Sequence, residues 1–437
     1  MKSSTIALAA VAFSAAASVT HAGAQMHHTN PQDHAGSAAR AWTVHTMAQV
    51  FPILTASDPF DDDSRLNDRE AYLTQPVLML GAVSPRGRVA FDLTLDFEQF
   101  TQPDGEYTFG GWGEGFIDRR HPHTLLHELM VSVTPWTGSA GTLSLSAGKG
   151  FAPYGTEDPM SRPVVKYPTN HHLSQVLERW TVNATLLHPA GWSLELGLFG
   201  GAEPTDAYDL SNIESFGDSW SGRLTKAFGG HGLPSWELSG SYARIEESHG
   251  AETEVVELAN TALRYEALRP SGRLYGLLEA SKSFPEDESG YWAVLAEGQL
   301  RTGLHQPYAR VEWSTRPEYH RLGAPGTPEF YRYDHDTHTD GATRWVIATL
   351  GYGRESATAG VSYRPFAEVQ YHRVSSERGG VDPMALFGQR AFWSVSTGFR
   401  LFWGGGPMRM GRYGALAAHA PTAPVSAGSA SHAHHTP

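Results

Sequence analysis

The sequence predicts an all-β fold, a transmembrane antiparallel β-barrel of about sixteen strands, on three observations. Apolar and polar residues alternate with period two over long runs, long and short connections alternate between those runs, and an export signal precedes both. The 437 residues include 46 glycines, 12 tryptophans and no cysteine, a usage that suits many strands joined by turns better than a helical or α/β domain.

Met1-Lys2, the apolar run from Ile6 to Val19 and Ala22-Gly23-Ala24 before Gln25 have the charged start, short apolar centre and small-residue cleavage site of a secretory signal. Residues 1–24 are therefore expected to be removed. No later stretch supplies about 18 consecutive apolar residues, so no helix is expected to cross a bilayer. Residues 25–39 are polar and carry His27-His28, residues 404–437 form a low-complexity tail that becomes rich in Ala, Pro, Ser and His from 414, and both ends are expected to be disordered. The formal charge of -13, from 33 basic and 46 acidic residues, argues against a nucleic-acid partner, which needs a basic stripe. Absence of cysteine excludes thiolate zinc sites, disulfides and Cys nucleophiles, and suits a chain that crosses an oxidising compartment unfolded.

Each strand is read from its alternation. Val89, Phe91, Leu93, Leu95 and Phe97 share one side of a run, while Asp92, Thr94, Asp96 and Glu98 share the other. The same rhythm puts Leu194, Leu196 and Leu198 opposite Ser193, Glu195 and Gly197, and Val395, Thr397 and Phe399 opposite Ser396, Gly398 and Arg400. Marking such runs in order predicts strands near 40–52, 70–83, 88–99, 124–134, 141–149, 177–188, 191–200, 218–228, 235–245, 254–266, 271–283, 290–301, 307–315, 342–352, 359–372 and 391–403. Runs of about nine to fourteen residues match a tilted strand crossing a bilayer better than the five or six usual in soluble sheets.

The first, third and later odd connections, 53–69, 100–123, 150–176, 201–217, 246–253, 284–289, 316–341 and 373–390, are mostly long. The even ones, such as Ser84-Pro85-Arg86-Gly87 and Pro189-Ala190, are short. Long external loops, short periplasmic turns and both termini on the periplasmic side are the expected arrangement. The long connections carry essentially all of the net negative charge, which suits either sharing of divalent cations with lipopolysaccharide or plain solvation. Trp42, Trp180, Trp192, Trp220, Trp236, Trp292, Trp345, Trp393 and Trp403 are candidates for interfacial girdles.

The last run ends Ser396-Thr397-Gly398-Phe399-Arg400-Leu401-Phe402-Trp403, which is similar to the carboxyl-proximal assembly signal of bacterial outer-membrane barrels, although such barrels usually stop at the final aromatic. With the strand count and loop rhythm, residues 40–403 resemble a bacterial porin. Gly148-Lys149 followed by Pro153-Tyr154-Gly155 looks like the strand-to-loop junction of phosphate- and oligosaccharide-type porins. The resemblance implies a passive channel for small hydrophilic solutes, outer-membrane lipid as partner, a homotrimer, and the third of the long connections, 150–176, folded inward to narrow the passage. Lys149, Glu157, Asp158, Arg162, Lys166, His171 and His172 are then the constriction candidates, because fixed charges on a rigid loop select solutes at close range. The bland alternative is a loop whose charges pair among themselves.

Asp92, Asp96, Arg179, Arg223, Arg273, Glu279, Arg310, Glu312, Arg364 and Glu368 lie on the polar side of their runs and are expected to face a wet lumen, since lipid-facing charges are destabilising. No cofactor is expected. Asp334, His335, Asp336 and His338 have ligand types suited to Zn, Ni or Cu, against the ordinary reading of a polar loop. No Gly-x-Ser-x-Gly elbow, His-Glu-x-x-His helix or phosphate-cradling glycine loop appears, so an enzyme is not expected. A non-conducting surface-binding barrel and a barrel linked to metal handling are the alternatives.

Overall fold

The computed structural model describes residues 41–59, 68–101, 124–156, 158–169, 171–204, 207–229, 235–249, 252–285, 290–319, 339–358, 360–404 and 410–417. In chain order the strands are β1 (Thr43–Ser57), β2 (Arg69–Val83), β3 (Val89–Asp96), β4 (Leu126–Gly138), β5 (Gly141–Gly150), β6 (Arg179–His188), β7 (Trp192–Gly200), β8 (Phe216–Phe228) and β9 (Ser235–His249). They continue as β10 (Glu252–Arg269), β11 (Gly272–Pro285), β12 (Trp292–Arg301), β13 (His305–Tyr319), β14 (Thr339–Arg354), β15 (Ser356–Thr358), β16 (Val361–Arg378) and β17 (Ala391–Gly404). Sixteen are long and follow the predicted runs; β15 is a three-residue piece paired to β16 inside a short turn.

Pairing is antiparallel between successive long strands, with β14 pairing β16 directly past the short β15, and β1 pairs with β17 from Met47↔Gly404 to Ser57↔Ser394. That last pairing closes the sheet, so the ring offers no free edge and its ladder satisfies the backbone without water. One connection differs from expectation. The stretch 246–253 is largely strand, because β9 and β10 pair as far as His249↔Glu252. Ladder bonds are made by the backbone, so an acidic residue such as Glu246 does not end them.

The exposure pattern is the reverse of a water-soluble protein. On β7, Leu194, Leu196 and Leu198 are 41%, 53% and 45% exposed, whereas Ser193 and Glu195, at the alternate positions, are 5% and 3% exposed. On β8, Trp220 and Leu224 point out while Ser221 and Arg223 are buried. An exterior of this kind is stable against hydrocarbon, and a charge inserted there is penalised by depth. Leu196→Arg, at the middle of β7, is expected to destabilise the barrel by about 2–4 kcal/mol in lipid. Ser193→Arg, facing in near the strand end, should show no such depth penalty; denaturant unfolding in lipid vesicles reads the difference.

The interior is not uniformly polar. Met47, Val77, Met79, Met130, Phe151, Met160, Met410 and Tyr413 form one buried cluster, and Phe51, Ile53, Val165, Phe366 and Phe402 another. Trp345, a girdle candidate, is wholly buried with Ile347, Val374, Phe387 and Phe392, while Trp42, Trp192, Trp220, Trp236 and Trp393 are exposed as a girdle requires. The cause is the short helix Pro383–Phe387 in the connection before β17, which sets Phe387 edge-on to Trp345 at 5.6 Å. Asp382 caps this helix, accepting from Met384 N at 3.1 Å and from Arg390 at 3.1 Å. The Met384 N–H first, and then the Arg390 guanidinium, hold its carboxyl below the usual range.

Candidate functional site

Between β5 and β6, the described residues of 151–178 are heavily anchored to the strands. Gly155 N donates to Ser241 Oγ on β9 (2.9 Å), Thr156 Oγ1 to Glu279 on β11 (2.8 Å), Thr169 N to Glu312 on β13 (2.8 Å) and Val165 N to Glu368 on β16 (2.9 Å). In return, strand guanidinia hold its carbonyls. Arg223 donates to the carbonyls of Tyr154 and Gly155, both at 3.2 Å, Arg310 to that of Lys166 (2.8 Å), and Arg400 to those of Met160, Arg162 and Pro163 (3.2, 3.0 and 3.1 Å). A connection without regular ladder bonds needs such partners if it is buried. Gly155 has φ +64°, and a Cβ there would lie 1.7 Å from the Ser174 carbonyl oxygen, so the close return of the chain at this point requires glycine.

The constriction candidates sit as follows. Lys149, at the end of β5, is buried and donates to Thr124 Oγ1 (2.6 Å) and the Leu126 carbonyl (3.0 Å), so it fastens β5 to the start of β4. Asp158 is buried and accepts from Met160 N (2.7 Å), closing the turn Pro159–Ser161. Arg162 pairs with Glu279 at 2.9 Å and Lys166 donates to Gln370 (2.8 Å) and Ser394 (3.2 Å); both cations are 1% exposed. His171 is buried, edge-on to Tyr167 at 4.8 Å, and His172 lies in the same turn His171–Ser174. Glu157 lies outside the described residues.

The wall candidates divide by role. Glu279, Arg310, Glu312, Glu368 and Arg223 hold the connection, and Arg310 also pairs with Glu297 at 2.9 Å. Asp96 is buried and accepts from Glu98 N (2.8 Å), while Glu98 takes Gln75 N (2.9 Å) at the left-handed residue of β2, so this acidic pair shapes backbone. Arg179 pairs with Glu203 at 2.8 Å, Arg273 with Glu266, and Arg364 donates to Gln306; Asp92 is half-buried on β3. Asp334, His335, Asp336 and His338 lie outside the described residues, and among the described residues no group of three His, Cys, Asp or Glu could hold a metal ion.

No protein-family model matches the chain, and no curated protein matches it. Solved porins resemble it. It is similar to an anion-selective porin from Comamonas acidovorans at 11% identity and TM-score 0.48, covering 83% of this chain and 99% of that one. OprB of Pseudomonas putida gives 10% identity and TM-score 0.46, covering 84% and 94%, and OmpF of Salmonella typhi 10% and 0.45, covering 83% and 98%.

The sequence reading missed several participants. Arg400 appeared only as a polar member of the last strand, yet it anchors three carbonyls and lies 4.6 Å over the Phe51 ring. The segment expected to be part of a low-complexity tail is, over Met410–Leu416, buried against β4, β5, β7 and β8. Its one signal was Gly411-Arg412-Tyr413-Gly414, an Arg and an aromatic between glycines just ahead of the Ala, Pro, Ser and His stretch. Glu178, left-handed at φ 58°, accepts from Thr124 N (2.8 Å) and lies 2.7 Å from His127 Nδ1, fixing where the connection re-enters the sheet.

Proposed function

We propose that the chain is an outer-membrane channel for small hydrophilic solutes, with residues 151–175 folded into the lumen as its constriction. The observation that carries this reading is the pairing of a ring with an apolar exterior and a charged interior, spanned by one connection hydrogen-bonded to β9, β11, β13 and β16. In this reading residues 1–24 are an export signal, the long connections are external and acidic toward lipopolysaccharide, and the termini are periplasmic. Burial of Arg162 and Lys166 makes them fasteners of the constriction first; solutes meet whatever the fastened segment leaves open.

The same burial favours a second reading, a barrel whose filled lumen does not conduct and whose loops bind at the surface. Single-channel recording in planar bilayers separates the two. The channel reading expects small steady currents that grow when Arg162→Ala and Lys166→Ala loosen the segment, with ion selectivity shifting as cations are removed. Silence from both the natural chain and these variants would leave the non-conducting barrel.

A further inference from the structure

We propose that Met410–Leu416 is a strap that the chain carries for its own lumen, docked in the closed state and withdrawn to open the passage; this rests on the channel reading above. The segment follows β17 in sequence by a few residues and makes a set of contacts like those of a bound peptide. Arg412 Nη1 donates to Glu195 Oε1 at 2.8 Å, while the other oxygen of that carboxylate is held by Arg223 at 2.6 Å. Arg223 also reaches the Gly411 carbonyl at 3.1 Å. Tyr413 Oη donates to Glu128 Oε1 at 2.7 Å and accepts from Phe151 N at 3.0 Å, and Ala415 N donates to Ser144 Oγ at 3.1 Å. Met410 and Tyr413 complete the apolar cluster that also holds Phe151 and Met160 of the connection between β5 and β6.

The fit is close. Gly414 has φ +59°, and a Cβ there would come 2.4 Å from Ser144 Oγ. Both ends of the contact matter for function, because Tyr413 touches the wall through Glu128 and the constriction through Phe151. Each strap residue that occupies the interior removes cross-section from the lumen on the side of β4, β5, β7 and β8. Met410–Leu416 belongs to no strand of the ring, so it can leave without breaking a ladder. Withdrawal uncovers two carboxylates, Glu128 and Glu195, which lose Tyr413 and Arg412 as partners, so the opened wall on that side gains negative potential. The strap therefore sets both how often the passage is open and how strongly the open passage favours cations.

The test uses the mature full-length chain in planar bilayers beside two variants. Arg412→Ala with Tyr413→Phe, which deletes the guanidinium and the hydroxyl, is expected to raise mean current about tenfold, the factor that corresponds to ~1.4 kcal/mol in a two-state equilibrium. Its permeability should shift toward cations. Ser144→Cys with Ala415→Cys introduces a thiol pair into a chain that has no cysteine of its own. Oxidation is expected to cross-link it and hold the channel shut, and reduction to restore current. Failure of the thiols to cross-link overturns the docking, and equal currents from the natural chain, the first variant and both redox forms overturn the strap alone. Silence in every chain, Arg162→Ala included, overturns the channel reading and the strap with it.

Discussion

Glu279→Ala is expected to be among the most damaging single changes in the interior, at about 3–5 kcal/mol, because it removes the carboxylate that pairs with the buried Arg162 guanidinium. Glu279 accepts from Arg162 (2.9 Å), Thr156 (2.8 Å) and Asn260 (3.1 Å), so one carboxylate serves the connection twice and β10 once. The ring's ladder is untouched by the change, so the loss should appear first as release of the connection. Amide exchange at Val165 and Thr169, whose N–H groups bond to Glu368 and Glu312, is the direct readout. A loss of ~3 kcal/mol corresponds to exchange about a hundredfold faster. Arg162→Met combined with Glu279→Leu should cost less than the two single changes summed, since removing both partners leaves no stranded charge. Equal exchange in the natural chain and Glu279→Ala would show that the pair does not fasten the segment.

Arg400→Leu should have an effect of similar size by a different route. Its guanidinium donates to three carbonyls, of Met160, Arg162 and Pro163, and lies over Phe51 and Phe402. Each buried carbonyl left without its donor costs about 1–3 kcal/mol. Arg400→Lys should recover only part of the loss, because a compact ammonium on a flexible stem cannot present the planar fork that reaches all three oxygens. Thermal unfolding in detergent micelles ranks the three chains, and the order expected is Arg400, then Lys, then Leu. A lysine chain as stable as the natural one would mean that charge alone, and not the fork, is what the position supplies.

What the sequence showed and what it hid have a common physical cause. Side-chain alternation is local, so β7 was legible from Leu194, Glu195, Leu196 and Ser193 alone, and the strand count followed from repeating that reading. Where both sides of a strand carry apolar residues, as at Trp345, Val346 and Ile347 on β14, alternation says nothing about which side faces in, and Trp345 was placed on the wrong one. The connection between β5 and β6 was legible as rich in ionisable groups. Which partners its charges take was not legible, because pairing across 117 residues, as between Arg162 and Glu279, leaves no mark in composition. Tyr413 and Phe151, 262 residues apart, are the extreme case.

The seam between β1 and β17 also governs how the molecule can be made. Its register joins Ser57 to Ser394, so the two faces that meet there are nearly the first and last portions of the folded chain to be synthesised. Until the final strand is available, an incomplete ribbon keeps two unpaired backbone rows and a greasy face, which invites association with other chains. Assembly by gradual extension during translation is thus ruled out for the completed ring, and the long sequence separation at the seam makes closure a slow, late event. Ring closure is therefore the step at which the chain commits to its final form, and it waits for the residues of β17.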